Sequence, residues 1–491
     1  MKKKVSLEWG EKKNFENKKR RKKMGALMAL SVGESYADDF EGDLYGNTFF
    51  LQHRGPEYGG LATRDGKGGL KVEVCKGSFR HNFEYGTGNF RGPVGIGHLS
   101  ALDPEPVIIG TNYSSTFPEM AICFVGRINE KETREKLKEK GVVLRENDHA
   151  VCLIGMLIAS SGWEKEKTVE ENFLKGIERV NEETEGSFAL AILTQEQIFI
   201  ACSPDGRQTV ILGEKEGAIV ATSESTGFRN QGFKIKRDME AGEVITLKDG
   251  KEKRIGMLPL KGRRYAGPCV FKLVYTAEPP AIIHGKLAAD VRYNLGIRLA
   301  ERDAKGGFIP DIVAPVCGSG LPGSLGYFNY FVTMANQKKI GTIPHFEMPV
   351  IKYSHSRRSF TPADPKRRQE EAHKKQIPVQ SARYRGLTVV VVDDSIVTGL
   401  QSKSDLIPKF LSCGFREIHL RITYPQIVSV CHFGKAKKKE DLASLDGERI
   451  RTEEKIAEML GANSCVFNRI EDLEWAVGMP IGQFCCDCTK L

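Results

Sequence analysis

From residue 24 to about 250, short apolar runs alternate with Gly-rich turns. GALMALS, GPVGIGHLS, SFALAILT, QIFIACS and GAIVATS predict strands, and YGNTFFLQHRG and DHAVCLIGMLIASSG carry helical spacing. Sheets covered by a few helices, an α+β domain, follow from this pattern. KDGKEKR at 248–254 predicts a closing hairpin, and the polar segment to about 264 a linker. From about residue 268 strands alternate with helices, which predicts a parallel sheet. KLAADVRYNLGIRLAERDAKGG reads as a helix ended by Gly, DIVAPVCGSG as a buried strand breaking into a loop, and GSLGYFNYFVTMANQ as a helix. The polar, basic SHSRRSFTPADPKRRQEEAHKKQ has too little apolar content for a core. LTVVVVDDSIVTGLQSKSDLIPKFLSCG then gives strand, loop and helix, and REIHLRITYP another strand.

A length of 491 residues is too great for one ordinary domain. No apolar run reaches the roughly 18 residues of a membrane span, and the basic N-terminus lacks the apolar region of a signal peptide, so a cytoplasmic protein is expected. The net charge of +10 sits mainly in one place: residues 1–23 hold eleven Lys and Arg against three Glu, a net +8 that leaves +2 for the rest. The basicity belongs to an extension, read as a solvated arm. Without interleaved aromatics, nucleic-acid binding is not expected. Twelve cysteines in such a chain argue for thiols rather than a disulfide framework, and the FCCDC cluster near the end is a separate matter.

The strongest chemical signal is VVVVDDSIVTG. Four consecutive valines fit a strand buried on both faces, and ligands bind beyond the carboxyl ends of such strands, where Asp393 and Asp394 fall. Ser395, Ile396, Val397, Thr398 and Gly399 then offer backbone N–H groups and two hydroxyls at the start of a helix, a geometry that suits phosphate. Carboxylates beside a phosphate cradle suit a phosphorylated sugar. A plain turn and N-cap pair is the alternative.

VVVVDDSIVTG resembles the phosphoribosyl pyrophosphate (PRPP) loop of type I phosphoribosyltransferases, and its DDSIV core is similar to that of the amidophosphoribosyltransferases. LQHRGPEYGG, GHLS, SPDGRQTVILG, ATSES and RDMEAGE resemble that family's glutaminase domain in order, and RYAGPCVFKLVYTAEPP, DIVAPVCGSGLPGSLGYF and RSFTP its transferase domain. The resemblance implies a basic extension at 1–23, an Ntn-hydrolase-like αββα domain at 24–255, a phosphoribosyltransferase domain with a parallel sheet at 256–465 and a tail at 466–491. It also implies a homo-oligomer that transfers phosphoribosyl to ammonia or an amine, as in purine synthesis. Asp393 and Asp394 would hold the ribose hydroxyls and, with Ser319, Mg²⁺; Ser395 to Gly399 would bind the 5′-phosphate. Arg358, with Arg357, Lys366, Arg367 and Arg368, falls where the family has a loop that closes over substrate, although a solvated surface accounts for the same charges.

The pattern breaks in the glutaminase half. The family's cysteine nucleophile is replaced by Met24, whose thioether cannot form a thioester. Ser100 stands where an arginine holds the substrate carboxylate, and Val125 with Gly126 where an Asn-Gly pair forms the oxyanion hole. No glutaminase activity is expected. In the transferase half, Cys317-Gly318-Ser319-Gly320 lacks the acid that usually precedes the Ser or Thr. Thr398 replaces an arginine common in the family, and Leu400 and Gln401 stand where a Thr pair is usual. Ligand binding is therefore expected more firmly than turnover, with a non-catalytic binding or regulatory protein as the alternative. Cys485 and Cys488 form a C-x-x-C that suits zinc, redox chemistry or no site at all. By resemblance, Cys269, Cys431, Cys485 and Cys488 match the ligands of a structural four-iron four-sulfur cluster in one branch of the family, with Cys486 a bystander.

Overall fold

The computed structural model describes the chain apart from residues 1–24, 37–38, 65–67, 85–87, 111–116, 263, 354–372, 432–437 and 491. Met24, the basic extension, RSFTP and the basic residues Arg357, Arg358, Lys366, Arg367 and Arg368 therefore lie outside the described residues.

The apolar runs of the first half pair into two antiparallel sheets. One has seven strands, with Gly25–Val32 at its centre between Ala218–Thr222 and Val94–Ser100. The other has six, with Gly186–Leu193 between Ile198–Cys202 and Met120–Ile128. Their inner faces meet in one core that includes Leu27, Ala29 and Ile96 with Cys123, Ala189 and Ile200. Helices Ala150–Ala159 and Val169–Glu183 cover the second sheet. All ten residues of the former are buried, which explains its unbroken apolarity. The outer face of the first sheet packs on helix Phe40–Phe49 and on Leu273, Val291 and Tyr424 of the second half. These layers are helix, sheet, sheet and helix, as expected. The expected hairpin also forms: Lys248 pairs with Lys251 across Asp249 (φ 51°) and Gly250 (φ 69°), both in the left-handed region that a two-residue turn requires.

One expected helix is displaced. The α-helix begins at Phe40, five residues before YGNTFFLQHRG, and ends within that stretch at Phe49, and Gln52–Arg54 forms a 3₁₀ turn instead. Tertiary partners decide this, because His53 and Arg54 are drawn to the buried Glu224, and Gly55 abuts the backbone of Ser100. The second expected helix falls at Ala150–Ala159.

The second half is a five-stranded, wholly parallel sheet in the order His345–Phe346, Ile312–Pro315, Thr388–Asp393, Glu417–Ile422, Ser464–Phe467. The valine run is its middle strand, and all four valines are buried. Val390 and Val392 face helices Ala288–Lys305 and Leu321–Asn336, whereas Val389 and Val391 face Phe410, Ile456 and Leu460. That division is the reason the run has no polar alternation. The helix after DIVAPVCGSG starts at Leu321, earlier than GSLGYF, because Pro322 fits a first helical turn. Asp303 and Arg421, both buried, join helix Ala288–Lys305 to the sheet at 2.6 and 2.8 Å, with Tyr327 donating to the same carboxylate. No described helix is long and apolar enough to cross a membrane.

Candidate functional site

Asp393 ends the middle strand and Asp394 begins the loop beyond it. The loop is pinned to the next strand, since Thr423 N donates to Asp393 O (2.9 Å) and Tyr424 N to Asp394 O (2.8 Å). Asp394 N also donates to Asp393 Oδ1 (2.8 Å), and Ser395 Oγ to Asp394 Oδ1 (2.5 Å). The second loop, Cys317–Gly320, reaches the same place. Val316 N donates to Val392 O (2.9 Å), a Cβ on Gly320 would lie 2.3 Å from that oxygen, and Ser319 hydrogen-bonds Asp394. Cys317 Sγ donates to Val350 O (2.7 Å), which fixes the loop from behind. The fold thus brings Ser319, Asp393 and Asp394 together from two separate strand ends.

Burial pushes the Asp394 carboxyl up to about 6, against the pull of Ser319, Ser395, Arg292 and Lys375. Burial, reinforced by Asp394, pushes Asp393 well above the usual carboxylate range. Two adjacent carboxyls, one half-buried and one buried, are destabilised when both are ionised, which is the electrostatic condition a bound cation relieves. The donors are hard oxygens, two carboxylates and a hydroxyl, of the kind that suit Mg²⁺. Among the described residues no three His, Cys, Asp or Glu side chains converge on one ion.

Ser395–Gly399 is held at alternate points. Ile396 is buried in the sheet core, and Val397 O accepts from Ala443 N (2.8 Å). Gly399 adopts φ 68° with Leu460 so close that a Cβ would lie 2.9 Å from it. Ser395 is half-buried and Thr398 exposed. The following helix opens with a π turn at Ser402–Leu406 before continuing as Ile407–Ser412. Pro408, which has no N–H to give to the preceding turn, accounts for that irregularity.

In the first half, Gly25, next to Met24, pairs directly with Ser100, and Arg54 Nε donates to Gly25 O (3.1 Å). Ser100 Oγ accepts from Leu102 N and Asp103 N, each at 3.1 Å, so it caps a turn. Val125 is buried, and Gly126, next to it in the strand Met120–Ile128, sits at φ 135°. His98, fully buried and bonded to Phe124 O (3.1 Å), is held down to about 3 by burial and so stays neutral.

The four singled-out cysteines lie near the join of the second half and the tail, but among the described residues no three of them gather closely enough to hold one ion. Cys269 and Cys485 share a parallel bridge, with Val270 N donating to Cys485 O (3.1 Å) and Cys485 N to Pro268 O (2.9 Å). Cys488 Sγ lies 3.3 Å from the Tyr424 hydroxyl. Burial drives the Cys488 thiol upward, and Cys269, Cys431 and Cys485 push in the same direction. Burial likewise raises Cys269 and pushes Cys485 up to about 11, with Cys431 acting on the former and Cys269 on the latter. Four thiolates are the residue type that a cubane taking one sulfur per iron requires, but the thiols are not gathered here as a ligand set. Cys486 is buried in the adjoining core.

Sequence reasoning missed several site residues. Arg292 is buried on the apolar face of helix Ala288–Lys305, donating to Leu273 O (2.9 Å) and Ala277 O (2.6 Å), within the field of Asp394. An arginine among Val291, Leu295 and Leu299 was the available signal. Glu224, held down to about 2, accepts from His53 (3.0 Å), Arg54 (3.3 Å) and Glu278 N (2.8 Å), and so ties the two halves together. Arg207 joins Asp205 to Asp487 in the tail and hydrogen-bonds Cys485.

The fold and site define a phosphoribosyltransferase joined to an Ntn-type αββα module. Over 458 residues the chain is 30% identical to the amidophosphoribosyltransferase of Methanothermobacter thermautotrophicus, covering 91% of this chain and 89% of that protein. It is 28% identical over 476 residues to the amidophosphoribosyltransferase of Methanocaldococcus jannaschii (91% and 93%) and 26% identical over 456 to the human one (86% and 82%). The chain belongs to the amidophosphoribosyltransferase family. Its fold matches a glutamine PRPP amidotransferase from B. subtilis, solved with ADP and GMP, with a TM-score of 0.76 at 22% identity over 95% of this chain and 96% of that one. No family model matches the chain.

Proposed function

We propose that the protein binds PRPP with Mg²⁺ and transfers its phosphoribosyl group to ammonia or a small amine, without hydrolysing glutamine itself. The observation that carries this reading is the convergence of Asp393, Asp394 and Ser319 at the mouth of the parallel sheet, in a chain whose glutaminase positions hold Met24, Ser100 and Val125. Asp393 and Asp394 would accept hydrogen bonds from the ribose hydroxyls and, with Ser319, hold Mg²⁺, which neutralises charge on the pyrophosphate. The N–H groups from Ser395 to Gly399 would hold the 5′-phosphate. Nitrogen donates its lone pair to C1, the C1–O bond to pyrophosphate breaks with its electron pair leaving on oxygen, and the new amine loses a proton to solvent. Positioning and charge stabilisation supply the acceleration. Gly318, without the acid usual before Ser319, favours a second reading in which the ligand is bound but not turned over.

Incubation with PRPP, Mg²⁺ and ammonium is expected to release pyrophosphate, whereas glutamine in place of ammonium gives neither pyrophosphate nor glutamate. Glutamate release would overturn the loss of glutaminase, and bound PRPP without pyrophosphate release would select the second reading. Because the ligand-free Asp394 takes up a proton near pH 6, Mg²⁺–PRPP affinity is expected to be full at pH 8 and to fall as pH drops through about 6. Calorimetry in buffers of different ionisation enthalpy would show proton release on binding near that pH. A flat profile between 5 and 8 would refute the assignment.

Cys269, Cys431, Cys485 and Cys488 are inferred to hold a four-iron four-sulfur cluster, which would cross-link the tail to both domains. A reducing cytoplasm suits this set, and the described cysteines form no disulfide. The chain is taken to act as a homo-oligomer, with domain limits near 24–255 and 256–465. The last parallel strand, Ser464–Phe467, runs across the start of the tail.

A further inference from the structure

We propose that Asp405 and Lys409 are positioning residues that couple the two ends of the substrate site, by locking the helix after the loop Asp393–Gly399 to the strand pair that backs Cys317–Gly320. The assignment of those ends, 5′-phosphate and pyrophosphate, rests on the reading above. Helix Ile407–Ser412 packs Ile407 and Phe410 into the sheet core, and Lys409 is buried on the same helix. Its ammonium donates to Asp405 Oδ1 (2.6 Å), one turn back in the π turn, and the two side chains are only 8% and 5% exposed. A buried ion pair adds little stability over an apolar pair of the same volume, so what this one contributes is a fixed geometry. The same ammonium donates to His373 O (2.8 Å), and His373 Nδ1 lies 3.2 Å from Asp405 Oδ1.

His373 stands three residues before Gln376–Pro378, the strand that pairs antiparallel with Val350–Lys352. The helix holds that strand pair a second time, because the Cys413 thiol just beyond its end donates to Pro349 O (3.4 Å). The strand pair in turn holds the other loop: Val350 O accepts from Cys317 Sγ (2.7 Å), and Ser319, two residues on, hydrogen-bonds Asp394. At its near end the helix is tied to the first loop, where Lys403 N donates to Gly399 O (3.0 Å). Hydrogen bonds therefore run from Gly399 through Lys409 and the strand pair to Ser319, and return to the acid pair. A substrate that spans both loops meets, at each end, a shape that the other end supports.

Lys409→Met alone strands a buried carboxylate, so the test uses the double variant Asp405→Asn, Lys409→Met, which removes both charges, and Lys409→Arg, which keeps the link. In calorimetry with Mg²⁺ the double variant is expected to bind ribose 5-phosphate as the native protein does and PRPP about tenfold more weakly, a usual cost of losing a supporting partner. Lys409→Arg is expected to keep native affinity for both ligands. Equal losses for the two ligands in the double variant, or no loss for either, would overturn the proposal. Hydrogen exchange reads the link without any ligand. The amides of Tyr353 and Val379, which close the strand pair, and of Gly320 are expected to exchange about tenfold faster in the double variant, with Ile418–Ile422 unmoved. Unchanged exchange at those three amides would equally sink it. A native protein that binds neither ligand, yet shows the exchange difference, would support the link while refuting the PRPP reading.

Discussion

Asp394→Asn is expected to lower PRPP-dependent pyrophosphate release by roughly 10²-fold or more, the cost usual for removing a charged group that positions a metal or developing charge. The same substitution should stabilise the ligand-free protein. Asp394 is buried beside Asp393 and its carboxyl is pushed up to about 6. A carboxyl raised on folding penalises the native state when ionised, so the penalty is full above pH 6 and fades as pH falls toward the ordinary value near 4. Asn keeps an oxygen for Ser319 and Ser395 but carries no charge. Thermal denaturation at pH 8 should therefore show a gain of about 1–3 kcal/mol, absent below pH 4. Activity lost with stability gained marks a site that stores repulsion for its ligand, whereas both lost together would mean that the pair is structural.

Cys485→Ser is expected to abolish bound iron and the absorbance near 400 nm of such clusters, and to lower the melting temperature by roughly 10 °C or more. A cross-link from Cys269 to Cys485 closes a loop of more than 200 residues, and loop-closure entropy alone gives it about 5 kcal/mol. Cys485 also sits against Cys269 and within reach of Arg207, so the tail would lose its attachment to both halves at once. Cys486→Ser is the control, because that residue lies in the adjoining core rather than among the four. One equivalent of zinc with no iron in the purified protein would refute the cluster.

How far the site could be read in advance depended on whether its parts are contiguous. The acid pair and its loop occupy one stretch, and a buried parallel strand must deliver its last residues to the sheet mouth, so Asp393 to Gly399 were legible. Ser319 was legible only by resemblance, because its hydrogen bond to Asp394 spans two strand ends. Arg292 and Glu224 were not, since their partners lie far away in the chain. The displaced helix near Gln52 has the same cause: local spacing favoured a helix through His53 and Arg54, but a buried carboxylate 170 residues away held them in a tighter turn.

By itself the sequence determined the local alternatives: which runs become strands, the two-residue turn at Asp249-Gly250, and the acidic loop after the valine strand. These follow from short-range sterics and the period of apolar positions. Only the tertiary structure decided which charges are buried together. The raised Asp394, the neutral His98, the depressed Glu224 and the raised Cys488 thiol all arise from desolvation and Coulomb interaction among groups remote in the chain. Those interactions become strong only when the packed core excludes water.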